Sequence, residues 1–179
     1  MGAAASLSIA FHALTTSAED EFIAIAPFFP EYKVFVEATG ASLRVVPADT
    51  EKFQIDFTAL ENCINTNTKG IIINSPNNPS GAVYSGETIT KLAELLERKE
   101  KEYGHPIFII ADEPYREIAY DGVEVPFVTK YYANTLVCYS YSKSLSLPGE
   151  RIGYILVPQE AYESKALYAA VAGAGRSLG

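Results

Sequence analysis

The sequence predicts an α/β protein whose mostly parallel sheet has helices on both faces. Short apolar runs rich in Ile and Val alternate along the chain with segments in which apolar residues recur every three or four positions. Several of the apolar runs are continuous, which is typical of strands that are buried on both faces. Because strands and helices alternate, we expect parallel strands joined by right-handed crossovers.

Six apolar runs are predicted to be strands. They cover residues 22–26, 43–46, 70–74, 107–111, 135–139 and 153–157. Each of them is short enough for a strand and is rich in residues that favour sheets. In an open α/β sheet the ligand binds at the carboxyl ends of the strands, so the polar residues found there are the first candidates for a functional site.

The helices between these strands carry local start and stop signals. The clearest helix covers residues 86–103, with apolar side chains at intervals of three, four or seven. Ser85 is a suitable N-cap for it, and Gly104 a suitable terminating residue. Asp56 is predicted to cap a shorter helix, and another helix is expected after Ala4.

Length and composition limit the possible functions. The 179 residues suffice for one sizeable domain with a buried core. The net charge of −8, without a basic block, argues against nucleic acid or an anionic membrane as partner. No apolar run is long enough to span a membrane, and the two cysteines fit reduced thiols in a cytoplasmic protein. We expect no metal site.

Three polar motifs follow strands in the predicted sheet. They are NSPNNPSG at 74–81, ADEPY at 111–115 and SYSK at 140–143, with Arg151 eight residues after Lys143. Taken singly, each is weak, because a lysine in a serine-rich loop is usually solvated and an aspartate after a strand usually caps a helix. Their occurrence in this order at successive strand ends makes coincidence a poor explanation.

Together these motifs resemble the class I/II aminotransferases of the aspartate aminotransferase superfamily, which are pyridoxal phosphate (PLP) enzymes of fold type I. The resemblance covers residues 2–158 and corresponds to the middle of the family's large domain. It implies that residues 1–179 are a single domain, a truncated PLP-binding large domain without the C-terminal small domain and the N-terminal segment. We therefore expect little activity from this chain alone.

The resemblance implies the catalytic residues. Lys143 would form the covalent imine with PLP and then act as general acid and base. Asp112 would lie against the pyridine nitrogen and keep it protonated. Tyr115 and Asn78 would hydrogen-bond the phenolic oxygen of the cofactor.

The resemblance also implies the residues that hold the cofactor. Ser140 and Arg151 would bind the phosphate, together with the backbone N–H groups of Ala3 and Ala4 at a helix N-terminus. Phe29 would stack on the pyridine ring, and the preceding phenylalanine is the other candidate for this role.

The implied reaction is the transfer of an amino group between an amino acid and a 2-oxo acid, with the full-length protein a homodimer. A PLP-dependent C–S β-lyase and the PLP-sensing domain of a transcription regulator would carry the same motifs and stay open as alternatives. A dinucleotide-binding domain is disfavoured because no Gly-x-Gly-x-x-Gly follows a first strand.

Overall fold

A six-stranded sheet forms the centre of the computed structural model, which describes residues 2–47 and 49–179. Its strands lie in the order β2-β1-β3-β4-β5-β6. They are β1 Glu21–Ile25, β2 Ser42–Val46, β3 Thr68–Asn74, β4 Phe108–Asp112, β5 Thr135–Ser140 and β6 Gly153–Leu156. β1 to β5 are parallel to one another, and β6 is antiparallel to β5. The predicted fold class is confirmed.

The described residues form six α-helices and two 3-10 helices, of which α1 precedes the first strand and α6 follows the last. The α-helices are α1 Gly2–Leu14, α2 Glu31–Glu37, α3 Phe57–Cys63, α4 Gly86–Tyr103, α5 Tyr141–Ser144 and α6 Ser164–Leu178. The 3-10 helices cover Arg116–Ile118 and Val128–Lys130. The sequence did not predict α2, because a helix of seven residues with two buried side chains is too short to show a period.

The predicted helix caps are present. The Ser85 hydroxyl accepts a hydrogen bond from the backbone N–H of Thr88 at 3.1 Å, and Gly104 ends α4 in the left-handed region with φ of 76°. The Asp56 carboxylate caps α3 by accepting from the N–H of Ala59 at 3.0 Å. These contacts join residues three positions apart, which is why they could be predicted from local sequence.

Two apolar layers cover the sheet, one on each face. α3 and α4 pack on one face, and α1, α2 and α6 pack on the other. Successive side chains of a strand point to opposite faces, so Ile71 and Ile73 enter the first layer while Ile72 enters the second. Burial on both faces explains why β3 is continuously apolar.

The carboxyl ends of the three central strands lie side by side. Asn74 of β3 pairs with Asp112 of β4, Asp112 pairs with Cys138 of β5, and Ser140 pairs with Gly153 of β6. Asp112 and Ser140 are therefore the last residues of their strands, whereas the sequence placed them just after. Within the described residues, no helix is long and apolar enough to cross a membrane.

Candidate active site

Asn74 joins two of the predicted site segments. Its amide Nδ2 donates to the backbone oxygen of Asp112 at 2.8 Å, and its Oδ1 accepts from the backbone N–H of Asn78 at 2.6 Å. The loop that carries Asn78 is thereby tied to the end of β4. Asn74 carried no predicted role, although its place as the first residue of the 74–81 motif was a usable signal.

Asp112 is a buried carboxylate with one unsatisfied oxygen. The residue is 5% exposed, and its Oδ2 accepts a hydrogen bond of 2.5 Å from the Tyr32 hydroxyl. Its Oδ1 is buried and has no hydrogen-bond partner among the described residues. Burial raises the pKa of Asp112 to about 7. The hydrogen bond from Tyr32 has the opposite, smaller effect and lowers the pKa. A cationic N–H donor would both satisfy Oδ1 and favour the ionised carboxylate.

Tyr32 on α2 is a site residue that no sequence pattern indicated. Burial, and secondarily the Asp112 carboxylate, raise the pKa of its hydroxyl well above the usual value, so the hydroxyl remains a donor. Phe28 lies parallel to the Tyr32 ring with centroids 6.2 Å apart, and Phe29 meets it edge-on at 5.7 Å. Both phenylalanines are half-buried beside the residue that contacts Asp112. Stacking of Phe29 on a cofactor stays a prediction.

Lys143 lies on the short helix α5 rather than in the loop that the sequence indicated. The Ser140 side chain caps this helix by accepting from the N–H of Ser142. Lys143 is exposed, and its Nζ is 6.0 Å from the centre of the Tyr115 ring. Burial and the Asp112 charge raise the pKa of Tyr115, so its hydroxyl stays protonated at neutral pH and can donate a hydrogen bond. Lys143 and Tyr115 are thus neighbours.

Gly2, Ser140 and Arg151 converge beside the end of β5. A Cβ atom at Gly2 would lie 3.2 Å from the Arg151 Nη2 and 3.3 Å from the Ser140 Oγ. Ala3 and Ala4 follow Gly2 in the first turn of α1. A helix start, a guanidinium and a hydroxyl together form an arrangement suited to a phosphate.

A mainly apolar cleft of about 470 Å³ lies between the loop at residues 76–83 and the segment at residues 115–123. Asn78 and Tyr115 both line it, together with Pro76, Val83, Ile118 and Tyr120. The two predicted contacts to a phenolic oxygen therefore border one space. In the described part of the chain, no cluster of three His, Cys, Asp or Glu side chains could hold a metal ion.

Comparison with known proteins gives a consistent result. Residues 1–176 match the family described as aminotransferase class I and II. A probable N-acetyl-LL-diaminopimelate aminotransferase of Bacillus subtilis is 30% identical over 159 residues, covering 89% of this chain and 39% of that protein. A probable aspartate/prephenate aminotransferase of Aquifex aeolicus is 34% identical over 146 residues, covering 79% of this chain and 36% of that protein.

Solved structures agree with this match. The crystal structure of an amino transferase from Eubacterium rectale superposes with a TM-score of 0.99 at 76% identity, covering 100% of this chain and 45% of that one. Aspartate aminotransferase from Thermus thermophilus, solved with maleate, superposes with a TM-score of 0.83 at 28% identity, covering 99% of this chain and 44% of that one. The chain thus spans less than half the length of each relative named here.

Proposed function

This chain belongs to the class I and II aminotransferase family, and on that premise we propose that it is the PLP-binding part of an enzyme that transfers an amino group from an amino acid to a 2-oxo acid. Members of this family are generally PLP-dependent. The observation that best supports PLP here is the unpartnered Oδ1 of the buried Asp112 carboxylate. A pyridinium N–H is a donor of the kind that this oxygen lacks.

The residues fit PLP at both ends of the cofactor. Asp112 would contact the pyridine nitrogen, while Ser140, Arg151 and the N–H groups of Ala3 and Ala4 would hold the phosphate. The close approach of Gly2 to the Arg151 and Ser140 side chains supports the phosphate assignment. When bound, PLP supplies an electron-accepting ring that stabilises negative charge at the substrate Cα.

The remaining residues would position the ring and move protons. Lys143 carries the amine that would attach the cofactor and transfer a proton at the substrate Cα. The Tyr115 hydroxyl and the Asn78 amide would donate to the phenolic oxygen from the cleft that they both line. Phe29 would cover one face of the ring, next to Tyr32, which holds Asp112 in place.

The relatives reported above are named aminotransferases, so a β-lyase and a PLP-sensing regulator domain are not favoured. We further propose an amino acid and a 2-oxo acid as substrates, a homodimer for the full-length protein, and a cytoplasmic location. The location rests on the two cysteines, which are free thiols in the structure.

Borohydride trapping tests the proposal directly. The purified chain is incubated with PLP, reduced with borohydride, digested with trypsin and analysed by mass spectrometry. A reduced adduct blocks cleavage after Lys143, so we expect the PLP mass on the peptide 131–151. Lys143→Arg should remove this adduct, whereas the control Lys101→Arg, on α4, should retain it. Adducts spread evenly over surface lysines would overturn the assignment.

A further inference from the structure

Tyr139 is a buried tyrosine of β5 next to the Lys143 helix. It is 4% exposed, and its ring stacks on Tyr154 of β6 with centroids 5.0 Å apart. Tyr141 packs against the same ring edge-on at 5.2 Å. The two ring contacts fix the direction of the Tyr139 side chain, and its hydroxyl has a defined position as a consequence.

The hydroxyl of Tyr139 connects two segments of the site. It donates to the Glu117 Oε2 at 2.8 Å and lies 2.7 Å from the Ser144 Oγ. A phenol has one proton, so when that proton is given to the carboxylate the second bond must come from the Ser144 hydroxyl. The chain of hydrogen bonds then runs from Ser144 through Tyr139 to Glu117.

Each end of this chain is next to a predicted catalytic residue. Ser144 directly follows Lys143 on α5, and Glu117 lies in the 3-10 helix that follows Tyr115. α5 has only four residues, and its C-cap hydrogen bonds are at the long end of the usual range, with Leu145 N to Tyr141 O at 3.3 Å. A helix this short depends on contacts outside itself for its position.

We propose that the Tyr139 hydroxyl is a positioning group that holds Lys143 and Tyr115 in register for the cofactor. The inference rests on the proposed function, because it concerns the same PLP site. The hydrogen bonds from Ser144 through Tyr139 to Glu117 would preserve the 6.0 Å spacing between the Lys143 Nζ and the centre of the Tyr115 ring. Tyr139 itself touches neither cofactor nor substrate in this role.

Tyr139→Phe tests the proposal because it removes the hydroxyl and keeps the ring. PLP is titrated into the 179-residue chain, its binding is followed by absorbance, and the Lys143 adduct is quantified after borohydride reduction. We expect the apparent Kd for PLP to rise about three- to tenfold, the effect of losing one to two hydrogen bonds. The matched control Tyr154→Phe keeps the stack and should leave the Kd within about twofold of the wild type.

Variants of Glu117 distinguish positioning from packing. Glu117 is exposed, so replacing it should change the unfolding temperature little. Glu117→Ala should weaken PLP binding as Tyr139→Phe does. Glu117→Gln should retain the wild-type affinity, because it keeps an acceptor oxygen. The double variant Glu117→Ala with Tyr139→Phe should lose no more PLP affinity than either single variant.

The outcomes separate the two proposals. Absence of an adduct on Lys143 in the wild type overturns the PLP assignment. An adduct in the wild type together with unchanged PLP affinity in Tyr139→Phe and Glu117→Ala overturns the positioning role alone. Equal weakening in Glu117→Ala and Glu117→Gln also contradicts it, because the hydrogen-bonding chain predicts a difference between them.

Discussion

The hydrogen bond between Tyr32 and Asp112 makes a quantitative prediction about the cofactor-free protein. Both side chains are buried, and the Tyr32 hydroxyl is the only donor to the Asp112 carboxylate found among the described residues. Tyr32→Phe removes that donor and leaves the ring in place. We expect it to raise the pKa of Asp112 further above about 7, because the hydrogen bond is what lowers it.

The free energy lost should depend on pH. The pKa of Asp112 in the folded protein, about 7, lies above the ordinary value of 3.8 that applies to the unfolded chain. The protonated carboxyl therefore contributes its full stability below about pH 4, and this contribution is lost as the pH rises through 7. At pH 5 Asp112 is protonated in the folded protein, and Tyr32→Phe should cost about 1 kcal/mol for a neutral hydrogen bond. At pH 8 the carboxylate is ionised, and the cost should rise to about 2–3 kcal/mol.

Urea unfolding of the cofactor-free variant and wild type at pH 5, 6, 7 and 8 measures this difference. Tyr103→Phe is the control, because the Tyr103 hydroxyl donates to the backbone oxygen of Ile64, which does not titrate. Its cost should be the same at every pH. In an Asp112→Asn background the pH dependence of Tyr32→Phe should vanish. A cost that is equal at pH 5 and pH 8 would refute the role given to this hydrogen bond.

Two further substitutions test the packing that supports the site. Arg116→Met should lower the free energy of unfolding in urea by about 3–5 kcal/mol, because the Arg116 Nε pairs with the buried Glu113 carboxylate at 2.7 Å. Adding Glu113→Gln should recover part of this loss. A loss below about 1 kcal/mol in the single variant would contradict the prediction. Gly153→Ala should lower the free energy of unfolding by about 3 kcal/mol, because its Cβ would overlap the backbone oxygen of Tyr139. A Cβ at Gly149 meets no heavy atom within 4 Å, so Gly149→Ala should be neutral. Equal unfolding midpoints for the two glycine variants would contradict this prediction, because they would show that the backbone around Gly153 accommodates a Cβ without losing stability.

The sequence by itself determined the features that depend on neighbouring residues. The caps at Ser85 and Asp56, the stop at Gly104 and the six strands follow from patterns within a few positions, where steric and hydrogen-bonding preferences act directly. The continuous apolar β3 also predicted burial on both faces. The order of polar motifs after the strands predicted which residues would meet, because parallel strands bring their carboxyl ends to one edge of the sheet.

Contacts between residues far apart in the chain were decided only by the tertiary structure. Tyr32 reaches Asp112 across 80 positions, and Tyr139 joins Glu117 to Ser144 across two different helices. No local pattern marks a tyrosine for such a role, because a buried ring looks the same in the sequence whether or not its hydroxyl finds a partner. The chain order placed the candidate site at the strand ends, and the packing of α2 and α5 determined which hydroxyls would support its carboxylate and its lysine.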